Sequence, residues 1–481
     1  MQTNRFKFVH WLVAITLGLF FFMVIVDGSI VTIAIPEISQ QLRVSTSLSE
    51  WIVTIYLMTI CMFLLVFGRL GDLFGRVRIF RWGTVVFTLG SFLAGVPLGF
   101  GFVLFGRVVQ GVGASMTMAT SYAIVTSYFD KSQLGRALGV ESVFISLGSV
   151  AGPALSGFIL TQLPWGYIFW INVPVGIICL IFEELFFPSD AKQTAQKFDW
   201  LGALILAMAM LVITFSLLRL QIVGFTHLGL WLLFLAGIGA IFVWVRIEKH
   251  VSQPLVDHRI FKNIAFRNGL LAASLVFTAT FFYNILAPFY LRIDQNLPMH
   301  LTSLLLTISP IVAVIMGPVA GTLNDKLSSQ RLIIWGIWLL LLSQIGLALI
   351  RQETTLLLFG ILSILLAIGN AFFQTANNVM VMTSVDQSQL GMAGSLNALV
   401  RELGLVIGTI LATSVFFTTM SMQAGHQIIN YTAHNNGLFI GSQSISYGLA
   451  ALLIFVTGCL LIFPKYRRQK AKREVVVHEH N

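Results

Sequence analysis

The strongest constraint in this sequence is a series of apolar runs of about 20 residues that recur along the whole chain. An α-helix needs about that many apolar residues to cross a bilayer core about 30 Å thick. The runs lie at 8–36, 50–70, 79–98, 102–127, 136–162, 167–187, 199–220, 227–247, 265–291, 301–322, 331–350, 354–383, 390–417 and 444–464. They predict an all-α integral membrane protein with fourteen transmembrane helices. The first run is too long for a cleaved signal peptide and lacks a small-residue cleavage site, so it is interpreted as a helix.

The composition excludes a soluble fold. Apolar residues make up 57% of the chain and charged residues 10%, whereas about a quarter of the residues in soluble proteins are charged. The three cysteines, Cys61, Cys179 and Cys459, each lie within an apolar run. Their positions predict neither a disulfide framework nor a metal site.

Lysine and arginine predict the orientation in the membrane. Fourteen spans place both termini on the same side, and basic loops favour the cytoplasm. With the N-terminus inside, cytoplasmic segments hold 23 of the 29 basic residues, outer segments hold four, and Arg107 and Arg401 fall inside helices. The net charge of +10 is therefore explained by topology, and no nucleic-acid partner is predicted. The basic tail could also contact anionic lipid headgroups or act only as a stop-transfer signal.

Two repeats divide the chain. GRLGDLFGRVRIFRWG at 68–83 matches GTLNDKLSSQRLIIWG at 321–336, and DKSQLG at 130–135 matches DQSQLG at 386–391. Two matches at nearly the same offset and in the same orientation indicate a parallel repeat of two six-helix halves around a cavity. The predicted organisation is an N-terminal six-helix bundle at 1–190, an inserted helix pair at 191–262, a C-terminal six-helix bundle at 263–464 and a basic cytoplasmic tail at 465–481.

Five motifs carry a family resemblance. They are GRLGDLFGRVR at 68–78, RVVQGVG at 107–113, GSVAGPALSG at 148–157, DGSIVTIAIP at 27–36 and WGYIFWINVPVG at 165–176. Together they resemble the major facilitator superfamily, specifically its fourteen-helix drug:proton antiporter branch. The resemblance implies two six-helix bundles with two extra central helices, and transport by alternating access. The basic segments predict that both termini are cytoplasmic, and the compact loops predict a bacterial plasma membrane. Ser29, Thr32 and Gly166 depart from residues common in that branch.

Ionisable residues inside the spans are candidates for proton coupling, because such groups are costly in a bilayer and usually functional. They are Asp27, Arg107, Glu141, Arg401 and Glu402. Burial disfavours a charged carboxylate, so these acids could load and release protons near neutral pH. The resemblance points to Asp27 and Glu402 as coupling sites, with Glu141 a further candidate. The alternative is a carboxylate permanently paired with Arg107 or Arg401. Arg401 and Glu402 are adjacent and should not face each other on a helix.

The loop after the second helix predicts a charged latch between the halves in the outward-open state. Its residues are Gly68, Arg69, Asp72, Gly75, Arg76 and Arg78, with Asp325 in the second repeat. Asp72 and Arg76 are four residues apart and can pair if the segment is helical. Positive-inside anchoring is the alternative role of the arginines.

The fifth span carries the antiporter-like motif Gly148, Gly152, Pro153 and Gly157. Small residues four apart allow another helix to approach closely, and proline can bend the helix. One hypothesis is that this stripe seals the two halves; ordinary tight packing is the other.

The chain contains 40 phenylalanines, whose faces suit flat lipophilic or cationic ligands, although lipid contact explains most of them. Phe281, Phe282, Tyr283 and Asn284 are the candidate substrate-binding stretch.

The predicted function is export of small amphipathic compounds in exchange for protons, by a monomer in a lipid bilayer. No glycine-rich phosphate loop with a lysine is present, so neither ATP nor another cofactor is predicted, and the proton gradient is the expected energy source. A dedicated exporter of one endogenous lipid or metabolite, or a uniporter, would use the same fold. An enzyme would need a catalytic constellation that the sequence lacks.

Overall fold

The computed structural model describes residues 2–44, 46–49, 51–130, 133–187, 190, 198–223, 227–251, 254–351, 353, 355–425 and 436–478. Throughout these ranges the regular structure is helical, with no strand. Lys131, Lys192 and Lys197, the predicted domain boundary at 191 and the end of the tail at 479–481 lie outside the described residues.

Fourteen described helices are long and apolar enough to cross a membrane, which confirms the predicted number. They are α1 (Gln2–Leu42), α2 (Trp51–Phe74), α3 (Arg76–Gly95), α4 (Phe100–Tyr128), α5 (Leu134–Gln162), α6 (Tyr167–Trp170 and Asn172–Phe186), α7 (Trp200–Val223), α8 (Leu228–Glu248), α9 (Ile264–Phe289), α10 (Met299–Lys326), α11 (Ser329–Ala348), α12 (Leu356–Thr383), α13 (Leu390–Ala424) and α14 (Asn436–His478). Short 3₁₀ turns cover His258–Lys262 and Gln387–Gln389, a π turn covers Tyr290–Asp294, and a short helix covers Thr46–Ser49.

Several helices are longer than the apolar runs that predict them, because the helix continues until a local stop signal. α13 passes the predicted end at 417 and stops before Gly425, whose φ of 73° is the left-handed conformation that ends many helices. α14 continues from its apolar part into the basic tail.

The two groups of six helices pack in the same way. In the first group α1 contacts α5 and α6, and α3 contacts α4; in the second, α9 contacts α13 and α14, and α11 contacts α12. This equivalence agrees with the parallel repeat in the sequence.

The two halves meet along two seams, one between α2 and α13 and the other between α5 and α10. The inserted pair covers the α2/α13 seam: α7 packs against both α2 and α13, while α8 packs on α7. An apolar cluster that includes Met58, Ile213, Leu217, Val406 and Ile410 joins the three helices α2, α7 and α13. Much of the outer surface is apolar, with side chains such as Trp82 and Phe242 more than half exposed, as expected where lipid replaces water.

Candidate functional site

Asp27 of α1 lies at the centre of a buried polar cluster in the first half. Its Oδ2 accepts a hydrogen bond from Arg107 Nη1 at 2.6 Å, and its Oδ1 accepts from Gln110 Nε2 at 2.8 Å and Asn172 Nδ2 at 2.9 Å. Both Asp27 and Arg107 are fully buried. We call Asp27, Arg107, Gln110 and Asn172 the outer cluster, because the sequence predicts that α1 starts on the inner side and Asp27 lies about 27 Å along α1 from Val9. Three donors, one of them a guanidinium, suit an ionised carboxylate.

Arg107 has further contacts besides its ion pair with Asp27. Its Nε donates to the Ile52 carbonyl at 2.9 Å, and its guanidinium carbon lies 4.0 Å from the centroid of the Tyr56 ring. Nη2 is buried and has no hydrogen-bond partner among the described residues. The pairing that the sequence left open is therefore present, and α1, α2, α4 and α6 are joined through one ion pair.

A second polar group, which we call the central cluster, lies between the halves. It contains Glu141 of α5, Tyr122 of α4, and Arg401 and Glu402 of α13. Glu141 Oε1 accepts from Ser121 Oγ at 2.9 Å, and Arg401 interacts electrostatically with Tyr122. Arg401 and Glu402 begin about 17 Å along α13 from Leu390, near the middle of a bilayer.

Arg401 and Glu402 are closer than the helix geometry predicts. Arg401 Nε and Glu402 Oε1 are 4.0 Å apart, because the long guanidinium stem can turn along the helix toward its neighbour. The prediction that the two side chains do not face each other is thus wrong in part, although 4.0 Å is too long for a hydrogen bond.

The loop motif of the first half caps a helix of the second half. Asp72 Oδ1 and Oδ2 accept from the backbone N–H groups of Gly391 and Met392, each at 3.0 Å, at the start of α13. Arg76 pairs with Asp72 at 2.8 Å, and it also donates to the Gln387 carbonyl. The predicted pairing of Asp72 with Arg76 is present, although Gly75 interrupts the helix between them.

The equivalent aspartate of the second half caps a helix of the first half. Asp325 Oδ1 accepts from the Gly135 N–H at 3.0 Å at the start of α5, and Arg136 lies 3.4 Å from Asp325 Oδ2. Asp72 and Asp325 belong to one sequence repeat, and Gly391 and Gly135 belong to the other. The two repeats therefore contact each other crosswise and close the face that the basic residues predict to be cytoplasmic, which we call the basic side.

Glycines permit the α5/α10 seam to close. A Cβ on Gly139 would lie 2.8 Å from the Gly317 carbonyl, and one on Gly317 would lie 3.1 Å from the Gly139 carbonyl. Gly135 and Gly321 approach each other in the same way one turn closer to the basic side. At the α2/α13 seam, Gly68 packs on Ser395.

The antiporter-like motif packs against α1 of its own half and not, as hypothesised, against the second half. Gly148 faces Phe22 and Ile25, and Gly152 faces Ser29, all on α1. α5 stays helical through Pro153, and Gly157 has open space beside it. In this conformation the stripe packs helices within the first half and does not seal the halves, because the sealing glycines lie nearer the basic side.

The remaining latch residues lie around the start of α3. Gly75 adopts a φ of 108°, and the Arg78 N–H donates to Asp190 Oδ2 at 2.9 Å. Arg69 interacts electrostatically with Glu248, at the end of α8. The loop motif thus interacts electrostatically with the inserted pair and contacts α13 directly.

The four residues of the candidate substrate-binding stretch on α9 lie in different environments. Phe282 is fully buried, and Tyr283 hydrogen-bonds to Ser363 at 2.8 Å inside the second half. Phe281 lies against Gly408 of α13, whereas Asn284 is exposed. The four residues do not form one binding face, because consecutive helical residues point about 100° apart.

Sequence reasoning missed three acids that the structure shows to be buried or capping. Glu183 of α6 accepts from Thr84 Oγ1 at 2.7 Å, Glu248 accepts from Val256 N at 3.1 Å, and Asp190 accepts from Val77 N at 3.0 Å. The available signal for Glu183 was an acid inside the apolar run at 167–187. Among the described residues, no group of three His, Cys, Asp or Glu side chains could hold a metal ion.

The family follows from a comparison with known proteins. A family model described as Major Facilitator Superfamily matches residues 17–409 and residues 269–474. The chain belongs to the major facilitator superfamily. This facilitator is therefore a transporter and not an enzyme, and its two six-helix bundles with an inserted pair are the fold that the sequence predicts.

Relatives of this facilitator have different named substrates. It is 30% identical over 457 residues to the riboflavin transporter RibZ of Clostridioides difficile (strain 630), covering 94% of this chain and 97% of that protein. It is 27% identical over 413 residues to the multidrug resistance protein Stp of Mycobacterium tuberculosis (strain CDC 1551 / Oshkosh), covering 85% and 76%.

A solved structure supports the fold alone. The human organic anion transporter MFSD10 (TETRAN) superposes with a TM-score of 0.65 at 13% identity, covering 95% of this facilitator and 98% of that chain.

Proposed function

We propose that this facilitator is a proton-coupled antiporter that exports small amphipathic compounds from a bacterial cytoplasm by alternating access. The observation that carries the proposal is the buried Asp27–Arg107 pair, both of whose side chains are 0% exposed. Protonation of Asp27 would remove its charge and leave Arg107 buried without a counter-ion, at a cost of several kcal/mol. A proton can therefore destabilise the conformation described here and drive a change of state.

The closed basic side fits one step of this cycle. With Asp72 and Asp325 capping helices of the opposite half, the basic side is closed and access is from the other face. In the predicted orientation that face lies outside the bacterium, where the proton concentration is higher. A proton bound by Asp27 would weaken the outer cluster, which joins α1, α2, α4 and α6, and permit the first half to tilt. Opening of the basic side would then admit substrate to the central cluster, where Glu141 and Glu402 are proposed to release or exchange the proton.

The experiment is a proton-flux measurement in proteoliposomes with a fluorescent pH indicator inside and an imposed proton gradient. Riboflavin, ethidium and neutral lipophilic drugs are added to the native protein, to Asp27→Asn and to Asp294→Asn. Asp294 is the control because it is also a buried aspartate but lies in neither cluster. It follows α9, outside the membrane spans, and burial raises the pKa of its carboxyl.

We expect at least one compound to collapse the gradient with the native protein and with Asp294→Asn, but not with Asp27→Asn. Substrate flux without proton flux would instead support a uniporter. Absence of proton movement with every compound would contradict the antiport proposal.

A second candidate is a transporter dedicated to one aromatic metabolite. The observation that favours it is the 30% identity to a riboflavin transporter over 94% of the chain. In the same assay, a response to riboflavin alone would support this candidate, and a response to several unrelated compounds would support multidrug export.

A further inference from the structure

The second half carries an uncharged counterpart of the Asp27–Arg107 ion pair. In the first half, Arg107 of α4 donates to Asp27 of α1 at 2.6 Å. In the second half, the hydroxyl groups of Tyr283 on α9 and Ser363 on α12 share a hydrogen bond of 2.8 Å. Both bonds join residues that are 80 positions apart in the chain. Tyr283 and Ser363 lie 256 residues after Asp27 and Arg107, which is also the offset between DKSQLG and DQSQLG.

Helix packing beside the two bonds supports this correspondence. A Cβ on Gly113 of α4 would lie 2.7 Å from the Gly83 carbonyl of α3, and one on Gly369 of α12 would lie 3.0 Å from the Gly336 carbonyl of α11. Gly369 again lies 256 residues after Gly113, and Gly83 matches Gly336 in the first repeat. The fourth helix of each half therefore packs in the same register, and one position on it holds a guanidinium in the first half and a hydroxyl in the second.

The neighbours of the Tyr283–Ser363 bond are uncharged as well. Tyr283 is 3% exposed and Ser363 is fully buried. The Tyr283 ring stacks on Phe359 of α12 with the centroids 6.0 Å apart, and Tyr447 of α14 interacts with it. From α11, Ser343 donates to the Leu362 carbonyl, next to Ser363, at 2.8 Å. The described surroundings of the bond are thus aromatic rings and hydroxyl groups.

The charged residues of the second half lie elsewhere. Arg401 and Glu402 of α13 belong to the central cluster, and the other described charges lie near or beyond the ends of the spans, as Arg267, Asp294 and Asp325 do. Phenol and alcohol hydroxyl groups stay uncharged near neutral pH. A proton that neutralises Asp27 therefore has no equivalent target between α9 and α12 among the described residues.

Further uncharged bonds hold α9 nearer the basic side. Asn377 Nδ2 of α12 donates to the Gly269 carbonyl at 3.2 Å, about 21 Å along α9 from Tyr283. Between these levels, Gln344 of α11 donates to the Ala279 carbonyl at 3.2 Å. α9 is thus held along its length by hydrogen bonds between neutral groups. In the outer cluster, by contrast, the bonds that hold α1 on α4 end on the carboxylate of Asp27.

We propose that Tyr283 and Ser363 are positioning residues that keep α9 on α12 in every protonation state, so that a proton changes the shape of the first half alone. The second half then moves as a rigid body, against which the first half tilts. This inference rests on the proposed proton coupling at Asp27 and assigns a mechanical role to the half that binds no proton at the equivalent position.

The experiment measures distances between spin labels by pulsed EPR, in the full chain in nanodiscs at mildly acidic and mildly alkaline pH. The three native cysteines are replaced by alanine, and labels are attached to Ile33→Cys with Phe105→Cys, across α1 and α4, or to Asn284→Cys with Ile361→Cys, across α9 and α12. All four native side chains are exposed.

The variants are Asp27→Asn, Tyr283→Phe and Tyr290→Phe. Tyr290→Phe is the matched control for Tyr283→Phe, since Tyr290 stacks on the same Phe359 ring, with the centroids 5.7 Å apart. Its buried hydroxyl has no hydrogen-bond partner among the described residues. A double variant, Tyr283→Asp with Ser363→Arg, places the ion pair of the first half in the second.

We expect acidification to change the native α1–α4 distance by about 2 Å, a shift typical of helices in conformational switches, and to leave the α9–α12 distance unchanged. Asp27→Asn should abolish the first response. Tyr283→Phe should broaden the α9–α12 distances equally at both pH values and slow transport about fivefold, because one buried hydrogen bond is lost. Tyr290→Phe should do neither. In the double variant the α9–α12 distance should become dependent on pH, which a merely structural bond would not predict.

The inference is overturned if acidification changes the native α9–α12 distance as much as the α1–α4 distance, or if it changes neither. It is also overturned if Tyr283→Phe behaves like Tyr290→Phe. The native measurement decides even where the double variant does not fold.

Proton flux in proteoliposomes identifies failure of the proposed function separately. If compounds move protons and both distances respond, antiport stands and the rigid second half is wrong. If only the α1–α4 distance responds and no compound moves protons, the role of Tyr283 and Ser363 stands and antiport is wrong.

Discussion

At the residue scale, the backbone imposes its sharpest requirement at Gly75, between α2 and α3. Its φ of 108° and ψ of 129° lie in a region that is essentially restricted to glycine. A Cβ there would also collide with the Asp190 carboxylate. That carboxylate accepts the Val77 and Arg78 N–H groups at 3.0 and 2.9 Å. Gly75 therefore permits both the sharp turn and the cap on α3.

Gly75→Ala tests these two roles when compared with Gly99→Ala. Gly99 precedes α4 with a φ of 100°, but a Cβ at that position would meet nothing within 4 Å. Backbone strain alone should cost about 1–3 kcal/mol in either variant. We expect Gly75→Ala to unfold at a lower temperature than Gly99→Ala in detergent, by thermal unfolding followed with tryptophan fluorescence. Equal losses would mean that the contact with Asp190 contributes nothing.

The sequence identified individual ionisable residues inside the helices but not the residues that they contact. Asp27 and Arg107 were identifiable because ionisable residues are rare inside apolar runs. Gln110 and Asn172 lie in motifs, but nothing in their spacing indicates that both amides donate to Asp27, 83 and 145 residues away. Asp190 follows α6 without a pattern that predicts a cap on α3.

At the element scale, the seam between α5 and α10 depends on the absence of side chains. Gly139 and Gly317 bring the two backbones into direct contact, with Gly135 and Gly321 beside them. The sequence shows small residues four apart in α5 at two levels, 135–139 and 148–152. That pattern predicts a close helix crossing but not which helix crosses there. The structure assigns the first level to α10 and the second to α1.

Gly139→Leu should prevent closure of the basic side, because its side chain would have to displace the α10 backbone. Overpacking of this kind costs about 1–3 kcal/mol, which lowers the equilibrium constant for closing by roughly fivefold to 160-fold. We expect a similar loss of transport rate and faster thiol labelling of a cysteine placed at Ser142. Gly239→Leu, on a face of α8 with nothing within 4 Å, is the control. Native transport by Gly139→Leu would contradict the assigned seal.

At the scale of the whole molecule, the inserted pair breaks the symmetry of the two halves. Its contacts with the first half are specific: Trp51 lies 5.8 Å from the Phe215 ring and 5.7 Å from the Arg219 guanidinium, and Glu248 interacts with Arg69. Its contacts with α13 are apolar, through Val406 and Ile410. Apolar surfaces can slide without leaving unpaired polar groups. The pair should therefore move with the first half.

Two cross-links test this expectation in a protein whose three cysteines are replaced by alanine. A bridge between cysteines at Trp51 and Phe215 joins α2 to α7 and should leave at least half of the transport rate. A short bifunctional thiol reagent joining Leu217→Cys and Val406→Cys ties α7 to α13 and should abolish transport until it is cleaved. The reverse result would assign the inserted pair to the second half.

The crosswise caps also have a consequence for biosynthesis. Asp72 is bound by backbone groups 319 and 320 residues later in the chain, and Gly135 is bound by an aspartate 190 residues later. A ribosome that has delivered the first six helices to the membrane has made neither partner. In the nascent first half, the start of α5 therefore lacks its cap until α10 has been made, and Asp72 lacks its backbone partners until α13 has been made. Until then the unfinished chain has no seal on its basic side.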